Sequence, residues 1–192
     1  MNKRNRNRDR EEEEYKEKSI IREVIINLLY IAVVVLITFL MIRFVGQRTQ
    51  VRGSSMEPTL SNADNLIVDK ITYRFKDPER FDIIVFPFDD DTYYIKRIIG
   101  LPGETVQVID GYVYINGELL DEKYGNEVML RADRAEVPIE LGNDEYFVLG
   151  DNRNNSTDSR NEKVGNITRK DILGRAWVRI WPLNEFGILK HQ

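Results

Sequence analysis

The sequence predicts a mainly β protein, with antiparallel β-sheets in one compact domain preceded by a single N-terminal transmembrane helix. Two observations carry that prediction. Residues Val24–Ile42 contain no charged side chain. After residue 50 the apolar residues recur in short β-branched runs, with no sustained helical period. A third observation bounds the chemistry: the chain has one histidine, His191, and no cysteine. A disulfide framework and a thiolate metal site are excluded, and a zinc site is strongly disfavoured. Any covalent catalysis has to proceed without a thiol and without an imidazole near the middle of the chain.

The elements follow in order. Residues 1–19 are rich in Asn, Arg and Lys and then in glutamate, Glu11–Glu14, the composition of a disordered, solvated tail. Glu12 and Lys16, and Glu14 and Lys18, stand four apart with the acid first, so helix can begin ahead of the apolar run. Residues 20–45 read as the anchor. At about 1.5 Å per residue, Val24–Ile42 reaches nearly the ~30 Å of a bilayer's hydrocarbon. No small-x-small pair follows it, only Arg43 to Arg48, so the segment reads as uncleaved. Lys3, Arg4, Arg6, Arg8, Arg10, Lys16, Lys18 and Arg22 precede it, against Arg43, Arg48 and Arg52 just beyond. That bias predicts a single-pass protein of the cell membrane, with a cytoplasmic N-terminus and residues 46–192 outside.

Within 46–192 the predicted strands are Asn65–Asp69, Asp82–Pro87, Thr92–Ile99, Thr105–Asp110, Tyr112–Asn116, Tyr146–Leu149 and Gly174–Ile180. Asp110-Gly111 between two alternating runs is a hairpin signal. Asp121–Asp144 is acidic and reads as a surface connection. Trp177 and Trp181 suit either core packing or lipid headgroups. The net charge of −4 leaves no nucleic-acid footprint.

Three segments carry chemistry. In the first, Gly53-Ser54-Ser55-Met56-Glu57-Pro58-Thr59, the glycine permits an unusual backbone angle and the proline stiffens the turn around Ser55. In the second, strand alternation over Thr92–Ile99 puts Tyr94, Lys96 and Ile98 on one face and Ile95, Arg97 and Ile99 on the other. If one face is core, one of the two cations is buried, and a buried lysine loses its proton more easily. Arginine cannot act as a base because it stays protonated. A neutral lysine amine is therefore the available partner for a serine hydroxyl. The third segment, Gly150–Arg160, follows an apolar strand and is dense in donors and acceptors, with Asp158 and Arg160 able to pair and Ser156 able to orient a lysine.

Together these segments resemble the catalytic boxes of the bacterial type I signal peptidases, membrane-anchored Ser-Lys proteases. The Ser-Met-x-Pro-Thr box matches at Ser55–Thr59, the Lys-Arg-x-x-Gly-x-Pro-Gly-Glu box at Lys96–Glu104 and the Gly-Asp-Asn-Arg-x-x-Ser-x-Asp-Ser-Arg box at Gly150–Arg160. The resemblance spans roughly residues 20–185. It implies Ser55 as nucleophile, Lys96 as general base, Ser156 as the residue orienting the lysine, and Asp158 with Arg160 as a supporting ion pair. Asp151 and Arg153 match structural positions. Val51 and Ile95 fall where the shallow pockets for substrate positions −1 and −3 are lined. Gly53 stands where some members have a serine that helps form the oxyanion hole; the Ser55 N–H remains as one donor. The short interval from Lys96 to Gly150 matches the compact form common in Gram-positive bacteria.

The resemblance further implies removal of signal peptides from exported preproteins by an acyl-enzyme route, after small residues such as Ala. No cofactor and no metal are implied. The expected partners are preproteins and the lipid bilayer, the expected state a monomer. Two rivals stand beside this reading. One is a self-cleaving Ser-Lys protein like the SOS repressors, disfavoured by the anchor and by the lack of a DNA-binding segment. The other is a non-catalytic, signal-peptidase-like assembly factor for pilin or secreted proteins, which would be expected to have lost the Ser or the Lys.

Overall fold

The structure is a computed structural model that describes residues 3–40, 46–89, 92–125 and 127–189. Arg43 and the rest of the stretch 41–45, and His191 at the C-terminus, lie outside the described residues. The chain divides into two units, Met1–Phe44 and Val45–Gln192.

The first unit is one helix, α1, Lys3–Leu40. It differs from the disordered tail expected over residues 1–19. Nothing in that stretch breaks a helix: the first glycine is Gly46 and the first proline Pro58, and arginine, lysine and glutamate are good helix formers. Within α1, Ser19–Phe39 has a mean hydropathy of 2.5 and none of it is buried. A helix of that length, apolar on every face, fits a bilayer rather than a core.

The second unit is β-rich and antiparallel, as the sequence predicts. Its strands are β1 Gly46–Gln50, β2 Asn65–Asp69, β3 Ile83–Pro87, β4 Tyr93–Gly100, β5 Thr105–Ile109, β6 Tyr112–Ile115, β7 Glu118–Leu119, β8 Ile139–Glu140, β9 Glu145–Leu149, β10 Ile167–Thr168, β11 Gly174–Trp181 and β12 Gly187–Ile188. Among the described residues the larger sheet runs β1-β2-β11-β3-β4-β9-β10, with β12 on β11, and the smaller runs β7-β6-β5-β8. The Asp110-Gly111 hairpin forms, with φ of 50° and 83°, and sets Val108 opposite Val113. β1 is unforeseen because Gly-Gln-Arg-Thr-Gln has no apolar alternation; it is an edge strand held by its pairing with β2. The acidic connection Asp121–Asp144 lies at the surface but also lends the core Met129, Ala135, Ile139 and Leu141.

β4 decides where the chemistry sits. It lies between β3 and β9 and is covered on both faces. Ile95 packs with Val51, Met56, Leu60, Ile83 and Val85. Ile98 packs with Ile84, Phe86, Tyr146 and Val148. Strand alternation alone places one cation in the core, but a strand buried on both faces takes in both: Lys96 is 3% exposed and Arg97 0%.

Candidate active site

The serine turn is built from the inside. Met56 and Leu60 are buried in the same cluster as Ile95. The Glu57 N–H donates to Ser54 O at 3.1 Å and the Leu60 N–H to Met56 O at 2.9 Å, closing a tight turn. Gly53 enters that turn at φ +88°, in the left-handed region that favours glycine. Its N–H donates to Asn62 Oδ1 at 3.0 Å. Gly53 is therefore committed elsewhere, whereas the Ser55 N–H donates to no group among the described residues and stays available as an oxyanion donor.

Lys96 reaches this turn from β4. Its Nζ lies 2.9 Å from Ser55 Oγ and donates to Ile95 O at 3.1 Å. Among the described residues no carboxylate stands within ion-pair distance of it. Burial pushes the amine down from its usual value near 10.5 to about 8, against the opposing pull of Asp158 and then Asp151. The Tyr94 ring stands 4.8 Å from Nζ and is stacked on Phe88, forming one wall.

The third segment braces the other two. The Asn152 N–H donates to Ser55 O at 3.0 Å, its side-chain amide to Ser54 O at 3.1 Å, and the Asn155 amide to Ser54 Oγ at 2.9 Å. Gly150 is forced: a Cβ there would stand 2.2 Å from Ser156 Oγ and 2.5 Å from Ser55 O. Arg97 meets Asp151 through two bonds, Nε to Oδ1 at 2.8 Å and Nη2 to Oδ2 at 2.6 Å, while Thr59 Oγ1 donates to the same carboxylate at 2.5 Å. Its guanidinium also donates to Phe81 O at 2.8 Å and lies 3.4 Å from the Tyr124 ring centroid.

Asp158 and Arg160 are brought together by two bonds of 2.9 Å, and the Gly150 N–H adds a third contact to Asp158 at 3.1 Å. Arg153 makes two bonds to Glu122, at 2.6 and 2.5 Å, and a third to Gly150 O at 3.1 Å. Ser156 is placed beside this cluster, but its Oγ is buried and bonds to no group among the described residues. It lies against Gly150 and is not hydrogen-bonded to Lys96.

An open groove of about 610 Å³ passes over the pair, lined by Val51 and Ile95 as well as by Ser55, Lys96, Tyr93 and Gln50. Val51 and Ile95 are 4% and 9% exposed, so each offers the groove only a small apolar facet. Ser55, Lys96 and the Asp158–Arg160 pair are legible in the sequence. The Arg97–Asp151–Thr59 knot and the asparagine clamp are not. The one signal for them was that all five residues fall inside the same three motifs.

The signal peptidase, peptidase S26 family matches residues 22–181. A probable signal peptidase I-2 of Synechocystis sp. is 46% identical over 153 residues, covering 76% of this chain and 68% of that protein. A signal peptidase I of Leptolyngbya laminosa is 45% identical over 155 residues, covering 76% and 74%. Signal peptidase I S of Bacillus subtilis is 37% identical over 163 residues, covering 81% and 88%. With a serine and a buried lysine in contact at the centre of the matched region, the chain belongs to the signal peptidase family, peptidase S26.

Proposed function

We propose that this chain removes signal peptides from exported preproteins with Ser55 as nucleophile and Lys96 as general base. Membership of the family makes it a serine protease of the signal peptidase type. The observation that supports the residue roles is the contact of Lys96 Nζ with Ser55 Oγ at 2.9 Å, on an amine whose burial holds it near 8. At pH 7 a lysine of pKa ~8 is neutral in roughly a tenth of molecules, against a few parts in ten thousand for a free one. Burial thus supplies the base that the sequence otherwise lacks.

The preprotein lies extended in the groove, adding a strand beside the exposed N-terminal part of β4. The neutral amine takes the Ser55 proton as Oγ attacks the scissile carbonyl. The Ser55 N–H receives the developing oxyanion. The lysine passes its proton to the leaving amine, the mature protein departs, and the same amine activates water to free the signal peptide and restore Ser55. The shallow facets of Val51 and Ile95 favour small residues at positions −1 and −3. Asp158–Arg160 braces the Gly150–Arg160 loop, and Asn152 and Asn155 tie that loop to the serine turn. The apolar helix anchors the protein in the bilayer, with the N-terminus cytoplasmic and the β-rich unit outside, and the enzyme works as a monomer.

Incubation of the full-length protein with a preprotein, followed by sequencing of the new N-terminus, tests the reading. Ser55→Ala and Lys96→Ala are each expected to abolish processing, and the double variant to be no worse than either single one, because the two act as a unit. Substantial turnover by Lys96→Ala at neutral pH would remove the lysine from the mechanism.

A further inference from the structure

A second groove, of about 530 Å³, opens beside the first, and Tyr93 lines both. Its wall is basic: Lys70, Arg74, Arg169 and Lys170. One carboxylate, Asp171, also lines the groove, and Asp69 and Asp77 lie close by, so four cations face fewer acids. Asp171 accepts a bond from Thr168 Oγ1, and Asp69 accepts from the Ile71 and Thr72 N–H groups at 2.9 and 3.0 Å. Asp77 stands 3.7 Å from Arg169 with its side chain 93% exposed. Arg169 is fixed in place: its guanidinium donates to Tyr73 O and to Lys76 O and lies 5.4 Å from the Tyr73 ring centroid. Beside these cations Phe75 is 83% exposed, between Arg74 and Lys76.

The position of this groove in the chain matters as much as its charge. Gly46, the first residue of β1, is paired with Asp69, so Lys70 lies at the end of the sheet where the chain enters the β-rich unit. The apolar stretch ends at Phe39. Seven residues span at most about 25 Å. Along the chain, β1 therefore follows that stretch closely.

We propose that this groove binds the phosphodiester of an anionic phospholipid, with Lys70, Arg74, Arg169 and Lys170 around the phosphate and Phe75 at the boundary between headgroups and acyl chains. The proposal rests on reading the apolar helix as a membrane anchor, and is independent of the Ser55–Lys96 assignment. Cations beside an exposed aromatic ring match the two layers of an anionic membrane surface, charge outside and hydrocarbon beneath. An acidic peptide segment would neutralise the cations but leave Phe75 in water. Seating a headgroup here would set the mouth of the neighbouring groove, at Tyr93, next to the membrane from which a preprotein's apolar segment emerges.

The absence of cysteine makes the test clean. Phe75→Cys, introduced into the full-length protein and labelled with an environment-sensitive fluorophore, is compared in vesicles of phosphatidylcholine alone and with added phosphatidylglycerol. The label is expected to shift to the blue only with phosphatidylglycerol, to return at high salt, and not to shift when Lys70→Gln, Arg74→Gln and Lys170→Gln are combined with it. Preprotein processing by the unlabelled protein is expected to be several-fold faster with phosphatidylglycerol. The triple variant should lose that gain and still cleave a short soluble peptide at the original rate. A label equally solvated in both vesicles, or a triple variant that keeps the lipid response, would overturn the proposal. So would slower cleavage confined to substrates rich in Asp and Glu whatever the lipid, which would make the groove a peptide site. Should the triple variant fail to fold, the single reversal Lys170→Glu, at an exposed position, is read in the same way. The label reports membrane contact whether or not cleavage occurs, so its failure is separable from failure of the protease reading.

Discussion

Replacing Lys96 by methionine is expected to destroy activity and to stabilise the protein. The native amine titrates near 8 because burial penalises its charge, whereas in the unfolded chain it titrates near 10.4. Between those values the unfolded lysine holds a proton that the native one has released, so the unfolded state binds more protons and stability rises with pH. Below about 8 both states are protonated and the penalty is full; above about 10.4 neither is, and it vanishes. A gap of ~2.4 units at ~1.4 kcal/mol each makes the penalty about 3 kcal/mol. Methionine fills nearly the same volume without charge, but forfeits the contacts with Ser55 Oγ and Ile95 O, about 1 kcal/mol each. The net expectation is a gain of about 1–2 kcal/mol for Lys96→Met at pH 7, shrinking and then reversing toward pH 10.5. Denaturant unfolding of wild type and variant at both pH values measures it. A variant that is less stable at pH 7, or a difference that does not change with pH, would refute the claim that the site holds its lysine at a cost.

Three further outcomes follow from the same geometry. The acid limb of kcat/KM for a soluble peptide should titrate near 8 in the wild type, and lower in Asp158→Asn, because that carboxylate pulls the lysine upward; a limb near 10.4 would mean a solvated lysine. The same Asp158→Asn variant should lose about 3 kcal/mol in denaturant unfolding, since it leaves the 4%-exposed Arg160 guanidinium unpaired. Gly150→Ala and Gly53→Ala should differ in kind. The first drives a Cβ into Ser55 O and should cut kcat at least tenfold, whereas the second meets open space and should cost only about 1 kcal/mol of backbone strain in thermal unfolding.

Much of this was legible because strands and hairpins announce themselves locally. Asn65–Asp69 was read with its boundaries intact, and Asp110-Gly111 gave its turn from two residues. β1 was not legible, since its five residues are polar or glycine and its strand character exists only in the register with β2. The want of histidine and cysteine narrows the chemistry to a serine with a lysine, and it is the resemblance of three motifs in order that singles out Ser55 and Lys96. The Arg97–Asp151 pair escaped because a bond between residues 54 apart leaves no trace in spacing. The burial of both faces of β4 escaped for a related reason: alternation gives the direction of a side chain, but what lies on each side depends on strands placed by the rest of the fold.

That double burial is what lets adjacent cations do opposite things. Lys96 and Arg97 leave β4 on opposite faces, and both are buried, Lys96 opening only at the groove. Arg97 meets a carboxylate in a two-bond pair and keeps its charge, tying β4 through Asp151 to Thr59 beyond the serine turn. Lys96 meets a hydroxyl, a carbonyl and an aromatic wall, and is driven toward neutrality. A one-residue slip of β4 would set either Arg97 against Ser55 and Ile98 against Asp151, or Ile95 against Ser55 and Lys96 against Asp151, and in both cases the two-bond Arg97–Asp151 pair is lost. The paired arginine therefore stabilises the only register in which the unpaired lysine faces the serine. The cost of the buried lysine is borne by the same buried strand that lowers its pKa.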